Sequence, residues 1–250
     1  MEFTMPTLLN SFLCFLVSCT GSLIQRITGF GYGIFVMMFF PHFMDSYGEA
    51  NALSGMISAT TSIVVALSMR KLINWKNLPA PLICSAVTSF VAVQFMAGQT
   101  DRLLKMLLGI ALILLSIYFF FFAGKIQFKP TVWKGALAGA LSGIMNGLFA
   151  MGGPPMVIYF MMSSKDMKEY LATIQMYFAL SNIYTTALKA SAGYVTRGVL
   201  IFYIIAALSA LLGIWLGKRV FNRCKPNILK KAVYGFMAIS GVINIVATFI

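Results

Sequence analysis

The feature that most constrains this chain is a succession of apolar runs, several of which approach or exceed the roughly 20 residues that a helix needs to cross a bilayer. Two of these runs, at about 78–98 and 102–122, are separated only by a tight turn. Hydrophobic residues make up 60% of the chain and charged residues 10%, far from the balance of an ordinary soluble domain. The sequence therefore predicts an all-α, polytopic integral membrane protein.

Two breaks rich in small residues interrupt the apolar runs. The first, Thr28–Gly33, reads TGFGYG, and the second, Phe149–Pro155, reads FAMGGPP. Each break follows a long apolar segment and precedes a short one. Backbone polar groups at membrane depth must be buried in protein or line a wet cavity. Paired breaks at matching places in two halves point to the binding site of a transporter.

The order of segments repeats along the chain. We expect a first repeat at 1–124, with a broken helical hairpin at about 6–43 and spans at about 49–70, 78–98 and 102–122. We expect a second repeat at 125–250, with a hairpin at about 131–162 and spans at about 168–191, 197–220 and 227–249. The arm Ile34–Pro41 is too short to cross a hydrocarbon core of about 30 Å. Because three spans per half is an odd number, the two repeats are predicted to have inverted topologies.

The basic residues provide an independent test of this topology. If the N-terminus is outside, the loops predicted to be inside hold fourteen basic residues: Arg70, Lys71, Lys76, Lys125, Lys129, Lys134, Lys165, Lys168, Lys218, Arg219, Arg223, Lys225, Lys230 and Lys231. The loops predicted to be outside hold four: Arg102, Lys105, Lys189 and Arg197. This excess inside predicts that both termini are outside. The net charge of +13 is thereby explained as an orientation signal, without a nucleic-acid partner.

Charged residues within the predicted membrane segments are scarce, and Arg26 is the one that lies in a hairpin. It follows Gln25, and Asn146 with Gly147 occupies the corresponding place before the second break. A helix N-terminus at each short arm and a guanidinium would both favour an anion. Alternatively, the first hairpin crosses completely and Arg26 lies near the inner surface. The candidate substrate-binding residues are Gln25, Arg26, Thr28, Gly29, Gly31, Tyr32, Gly33, Asn146, Gly147, Met151, Gly152, Gly153, Pro154, Gln175 and Asn182.

The first span after each hairpin is rich in polar side chains. These are Ser58, Thr60, Thr61 and Ser62 in the first half, and Gln175, Tyr177, Ser181, Asn182, Tyr184 and Thr185 in the second. They either face the breaks and hydrogen-bond a substrate, or they hold helices together, as polar residues do in membranes. Glu49 and Glu169 occupy matching positions near helix starts, where capping explains them most simply.

Other classes of chemistry lack the residues that they need. No Asp or Glu lies deep inside a predicted span, and the only histidine, His42, is in an outer loop. We therefore expect no catalytic activity, no metal site and no cofactor. Gly29–Gly33 is not a phosphate loop, because no Gly-Lys-Ser/Thr follows it.

At these residues the chain resembles the TauE/SafE family of sulfite-exporter-like membrane proteins, also called TSUP. The matching features are Gly29–Gly33 with Pro41, Asn74–Lys76, and the segment Gly139–Pro155. The resemblance covers essentially the whole chain, although the second break departs from the usual three glycines. It implies a bacterial-type plasma-membrane transporter of small anions, often sulfur-containing, such as sulfite, sulfonates or related organic acids. Export is the direction that it implies.

Three interpretations remain open at this stage. The preferred one is a secondary transporter with alternating access around a midplane site at the two hairpin tips. The others are an anion channel with the tips as its constriction, and an assembly subunit that transports nothing. The expected partners are a small anion and the lipid bilayer. A coupling ion, proton or sodium, and an oligomeric state are left open.

Overall fold

A computed structural model describes residues 8–121, 129–220 and 226–246, and the regular structure in these ranges is entirely helical. The prediction of an all-α protein is confirmed. The α-helices are α1 Leu8–Thr28, α2 Tyr32–Val36, α3 Tyr47–Ser68, α4 Pro79–Ala97, α5 Asp101–Phe121, α6 Val132–Phe149, α7 Gly153–Ser163, α8 Met167–Ser191, α9 Arg197–Val220 and α10 Pro226–Val246. Short 3₁₀ turns cover Phe40–His42, Arg70–Leu72 and Trp75–Asn77.

Five helical stretches of the described chain are long and apolar enough to cross a membrane. They are Leu8–Arg26, Tyr47–Ser68, Trp75–Ala97, Asp101–Phe121 and Arg197–Gly217. Large apolar side chains such as Phe90, Leu114 and Ile204 are exposed on the outer helix faces, whereas many polar side chains are buried inside. This distribution suits lipid as the surrounding solvent. The prediction of a multi-pass membrane protein is therefore confirmed.

Four pairs of helices pack together, and one of these pairs lies in the centre of the molecule. Helix α3 packs against α8 in the interior, while α1 packs against α9, α4 against α6, and α5 against α10. Glycines allow two of these pairs to approach closely: a Cβ added to Gly139 or Gly143 would overlap the backbone of α4, and one added to Gly213 would overlap the backbone of α1. Close approach at small residues is the usual way that helices associate in a membrane.

Helices α3 and α8 begin at side-chain caps. The Ser46 hydroxyl accepts from the Glu49 N–H at 3.2 Å, and the Asp166 carboxylate accepts from the Lys168 and Glu169 N–H groups at 2.8 Å. The Glu169 carboxylate also accepts from the Asn74 side chain at 2.7 Å. The two glutamates therefore lie in first turns that Ser46 and Asp166 cap, and the carboxylate of Glu169 joins α8 to Asn74, so a capping role of the glutamate side chains stays a prediction.

The short arm after the first break is less regular than a helix over Ile34–Pro41. Helix α2 is five residues long, and a turn separates it from the 3₁₀ turn Phe40–His42. Pro41 contributes no backbone N–H to this segment, so a continuous α-helix through it would lose a hydrogen bond. The first short arm is therefore a single helical turn followed by irregular backbone.

The assignment of Lys189 to an outer loop is wrong. Lys189 lies in the last turn of α8 and is fully buried, with 0% of its surface exposed. The helix continues to Ser191 and ends where Gly193 adopts a left-handed φ of 83°. Gly55 on α3 faces this turn, and a Cβ added there would lie 3.5 Å from the Lys189 Nζ. Of the fourteen residues assigned to inner loops, Lys125, Arg223 and Lys225 lie outside the described residues.

Candidate functional site

The two sequence breaks meet in the interior of the protein. Gly29 and Gly31 have left-handed φ angles of 84° and 99°, and Ala150 has one of 53°, so the backbone turns sharply at both breaks. A Cβ added to Gly33 would overlap the Ala150 carbonyl oxygen. The backbones of the two breaks are therefore in direct contact, which explains why a glycine occupies position 33.

A cavity of about 30 Å³ lies at this junction. It has room for roughly two water molecules. None of the described residues that line it is acidic or basic. They are Gln25, Phe30, Gly31, Tyr32, Gly33, Ile34, Ser58, Ser62, Asn146, Ala150, Met151, Gly152, Gly153, Phe178 and Asn182.

A buried cluster of hydrogen bonds surrounds Gln25 on one side of the cavity. Its amide nitrogen donates to the Ser62 hydroxyl and to the Gln175 side-chain oxygen, both at 3.3 Å. The Thr61 hydroxyl donates to the Gln25 amide oxygen at 3.2 Å, and Gln175 donates to the Gly29 carbonyl at 2.9 Å. Helices α1, α3 and α8 are thereby joined beside the first break.

A similar buried cluster surrounds Asn146 beside the second break. Its amide nitrogen donates to the hydroxyls of Ser181 and Thr185, at 3.3 and 3.4 Å. The Tyr177 hydroxyl donates to Ser142 at 3.0 Å, and the Ser142 hydroxyl donates to the Gly152 carbonyl. Helix α6 is thereby joined to α8 at the point where α6 ends.

The two clusters occupy corresponding places in the repeated sequence. Asn146 follows Gln25 by 121 residues, and Ser181 follows Thr61 by 120. In each cluster a side-chain amide on the helix before a break bonds to a hydroxyl on the first long helix after a break. The amide nitrogens already have two protein acceptors each, which uses their two N–H bonds. A bound anion would therefore have to displace some of these bonds or use hydroxyl and backbone donors.

Arg26 lies at a second, smaller cavity of about 10 Å³. Gln25 lines both cavities and so lies between them. A Cβ added to Gly217 of α9 would meet the Arg26 side chain, so Arg26 packs closely against that helix. The remaining residues that line this cavity are Ser22, Thr61, Val65, Leu171, Gln175 and Ile214.

Most of the predicted site residues meet at the larger cavity. Nine line it: Gln25, Gly31, Tyr32, Gly33, Asn146, Met151, Gly152, Gly153 and Asn182. Arg26 and Gln175 line the smaller cavity. Gly29, Gly147 and Pro154 line neither. Thr28 is the last residue of α1, and its side chain is not among those that the structure describes.

Sequence reasoning left several lining residues out of the site. Ser58 and Ser62 line the larger cavity, and Thr61 lines the smaller one. The spacing of Ser58 and Ser62 by four residues places both on one face of α3, and this was the signal available in the sequence. Polar residues that only hold helices together have the same spacing, so the sequence could not decide between the two roles.

The short helices α2 and α7 offer fewer backbone N–H donors at their N-termini than we expect from the sequence. Helix α2 has only five residues, too few for a substantial helix dipole. Pro154 and Pro155 occupy the first turn of α7, and proline has no N–H to donate. The side-chain hydroxyls and amides of Gln25, Ser58, Ser62, Asn146 and Asn182 therefore line the larger cavity together with the backbone of the two breaks.

The fold and this site define a polytopic helical membrane protein with a polar cavity where two breaks meet. Comparison with known proteins identifies its family: the chain belongs to the Sulfite exporter TauE/SafE family, whose sequence profile matches residues 13–243. A similar protein is the probable sulfite/organosulfonate exporter TauE of Cupriavidus necator, 19% identical over 226 residues, which cover 87% of this chain and 86% of that protein. No solved structure shows a significant match.

Proposed function

We propose that this protein is a secondary transporter that exports small anions such as sulfite or sulfonates, and that the larger cavity is its binding site. The observation that carries the proposal is the meeting of the two breaks at a buried polar cavity between the Gln25 and Asn146 clusters. Membership of the TauE/SafE family and the similarity to a probable sulfite/organosulfonate exporter support an anionic substrate.

The chemistry of the cavity suits an anion. The described lining residues contribute hydroxyls and amides and no carboxylate that would repel a negative charge. Ser58 and Ser62 can rotate their hydroxyls to donate to an oxyanion, because the hydroxyl hydrogen is free to choose its acceptor. The small volume restricts the present conformation to an ion stripped of water, so substrate entry requires the cavity to widen.

The two amide clusters are suited to act as alternating barriers. Gln25 lies between the larger and smaller cavities, so release of its bonds to Ser62 and Gln175 would connect them. Release of the Asn146 bonds to Ser181 and Thr185 would open the cavity at the second break. In alternating access only one of the two clusters is open at a time.

The packing of the helices supports two repeats related by a two-fold axis, and we propose that these repeats are inverted and form the basis of this exchange. The repeat matches α1 with α6, α3 with α8, α4 with α9, and α5 with α10. When each helix is replaced by its counterpart, the α1–α9 pair becomes the α6–α4 pair, and the α3–α8 and α5–α10 pairs are unchanged. All four pairs are in contact, as a two-fold relation between repeats 1–124 and 125–250 requires.

We place the protein in the plasma membrane with both termini outside. A cysteine at Lys129 that is labelled from outside in intact cells would contradict this orientation.

Thermal stabilisation of the purified protein by anions tests the binding site. A ligand present at about 100 times its Kd stabilises the folded state by about 2.7 kcal/mol. We expect sulfite or methanesulfonate, and not chloride at equal ionic strength, to raise the Tm of the wild type. Gln25→Leu and Asn146→Leu should lose this rise. Asn244→Leu, which removes a buried amide that lines neither cavity, should retain it. Equal shifts in all four proteins would show that the anion binds elsewhere.

A further inference from the structure

We propose that Lys189 is an anion-binding residue of the transport path, at the end of a polar track that leads from the larger cavity along α8. This inference rests on the proposed function, because it gives the transported anion its positively charged partner. Lys189 is fully buried, and none of the carboxylates that the structure describes forms an ion pair with it. A buried ammonium without a counter-ion is costly in a membrane, so its retention calls for a function.

The track consists of polar residues on one face of α8. Asn182, Thr185 and Lys189 are separated by three and four residues, the spacing of a single helix face. All three are buried, and Asn182 lines the larger cavity. Side chains on a helix lean towards its N-terminus, so the Lys189 side chain leans towards Asn182 and the cavity. Over seven residues the helix rises about 10 Å, a short distance for a migrating ion.

The surroundings of the ammonium are polar and incompletely bonded. The Lys189 Nζ lies 3.5 Å from the Asn146 carbonyl oxygen, a long bond to an oxygen that already accepts from the Ala150 N–H at 3.0 Å. The side-chain oxygens of Thr186 and Asn182 have no hydrogen-bond partner among the described residues. A Cβ added to Gly55 would lie 3.5 Å from Nζ and 3.3 Å from the Thr186 hydroxyl. An ammonium has three N–H bonds, and among the described residues the one partner of Nζ is the distant Asn146 carbonyl, so Nζ has N–H bonds to spare for an anion, and the Thr186 hydroxyl is a second possible donor.

A purely structural role must be distinguished from this one. The last carbonyls of α6 accept from α3, where the Asn51 amide donates to the Leu148 and Gly147 carbonyls at 2.6 and 3.4 Å. Lys189 could complete the same cap through the Asn146 carbonyl, since cations near a helix C-terminus are favourable. A cap predicts that removal of Lys189 lowers stability and leaves anion affinity unchanged. An anion site predicts that removal of Lys189 weakens anion binding and leaves stability unchanged.

The experiment measures sulfite affinity by calorimetry, together with Tm, in the purified full chain. We expect Lys189→Met to weaken sulfite binding by about tenfold or more without lowering the Tm. Lys189→Gln, which keeps N–H donors and loses the charge, should weaken it similarly, and it replaces the methionine variant if that one does not fold. Asn51→Leu is the matched control and should lower the Tm with wild-type affinity.

The possible results distinguish a failure of the proposed role of Lys189 from a failure of the proposed transporter function. Sulfite binding by the wild type with equal affinity in Lys189→Met or Lys189→Gln would overturn the role of Lys189 and leave the proposed transporter function intact. A lower Tm with unchanged affinity, as in Asn51→Leu, would assign Lys189 to the helix cap. If the wild type binds neither sulfite nor methanesulfonate, the proposed function itself fails.

Discussion

Gln25 and Arg26 are neighbours on α1, yet they have different surroundings. Gln25 is 6% exposed and lies between the two cavities, whereas Arg26 lines only the smaller one. An anion that passes the Gln25 cluster would therefore meet the Arg26 guanidinium next. A guanidinium is suited to this position because its fork of donors matches two oxygens of an oxyanion at once.

Substitutions of Arg26 separate its charge from its geometry. Arg26→Lys keeps the charge and loses the bidentate fork, so sulfite affinity should fall moderately. Arg26→Gln loses both, and affinity should fall further, by about tenfold or more. Calorimetry on the purified variants provides the measurement. Arg70→Gln removes an equal charge from an exposed 3₁₀ turn and serves as the control. Equal sulfite affinities of the wild type, Arg26→Lys and Arg26→Gln would show that Arg26 contributes only to the orientation of the protein in the membrane.

Single residues differed in how well the sequence predicted them. Gln25 and Asn146 were predicted because each precedes a break, and both line the larger cavity. Lys189 was misplaced because it is near a helix end, where a basic residue normally marks a loop. Its ammonium packs beside Gly55, which is 134 residues away in the chain. Contacts of this kind have no local signal in a single sequence.

The two breaks pack directly against each other. Gly33 touches the Ala150 carbonyl, and Gly153 packs against Phe30. The bounds of two long helices are close to those expected from the sequence: 197–220 has the bounds of α9, and 168–191 differs from α8 by one residue. The length of α2 was not predictable from apolar character, because the apolar residues continue without a break from Val36 into the turn that follows it. The division into two repeats remains a prediction.

A methyl group at Gly33 tests the contact between the breaks. In Gly33→Ala the Cβ would overlap the Ala150 carbonyl, and a backbone group cannot rotate away, so the two breaks must move apart. We expect sulfite transport to fall by about tenfold or more and stability by roughly 1–3 kcal/mol. Gly235→Ala is the matched control, because, among the described residues outside its own stretch of helix, no atom lies within 4 Å of its added Cβ. Transport at wild-type rates in Gly33→Ala would show that the contact is not needed.

At the scale of the whole molecule, polarity is distributed in the opposite way to that of a soluble protein. Apolar side chains cover the outer faces, and the polar residues of α3 and α8 lie in the centre, next to the breaks. In the proposed function this arrangement would offer an anion a polar route within an apolar shell, between α3 of the first half and α8 of the second. The composition alone predicted the apolar shell, whereas the central pairing of α3 with α8 required the structure.

In the proposed function, this molecule carries anions through the cavity between the breaks. The most direct test is counterflow in proteoliposomes loaded with unlabelled sulfite, with a trace of radioactive sulfite outside. We expect saturable uptake that requires internal sulfite, is lost in Asn146→Leu and persists in Asn244→Leu. Uptake that is independent of internal sulfite, or equal in wild type and Asn146→Leu, would contradict it.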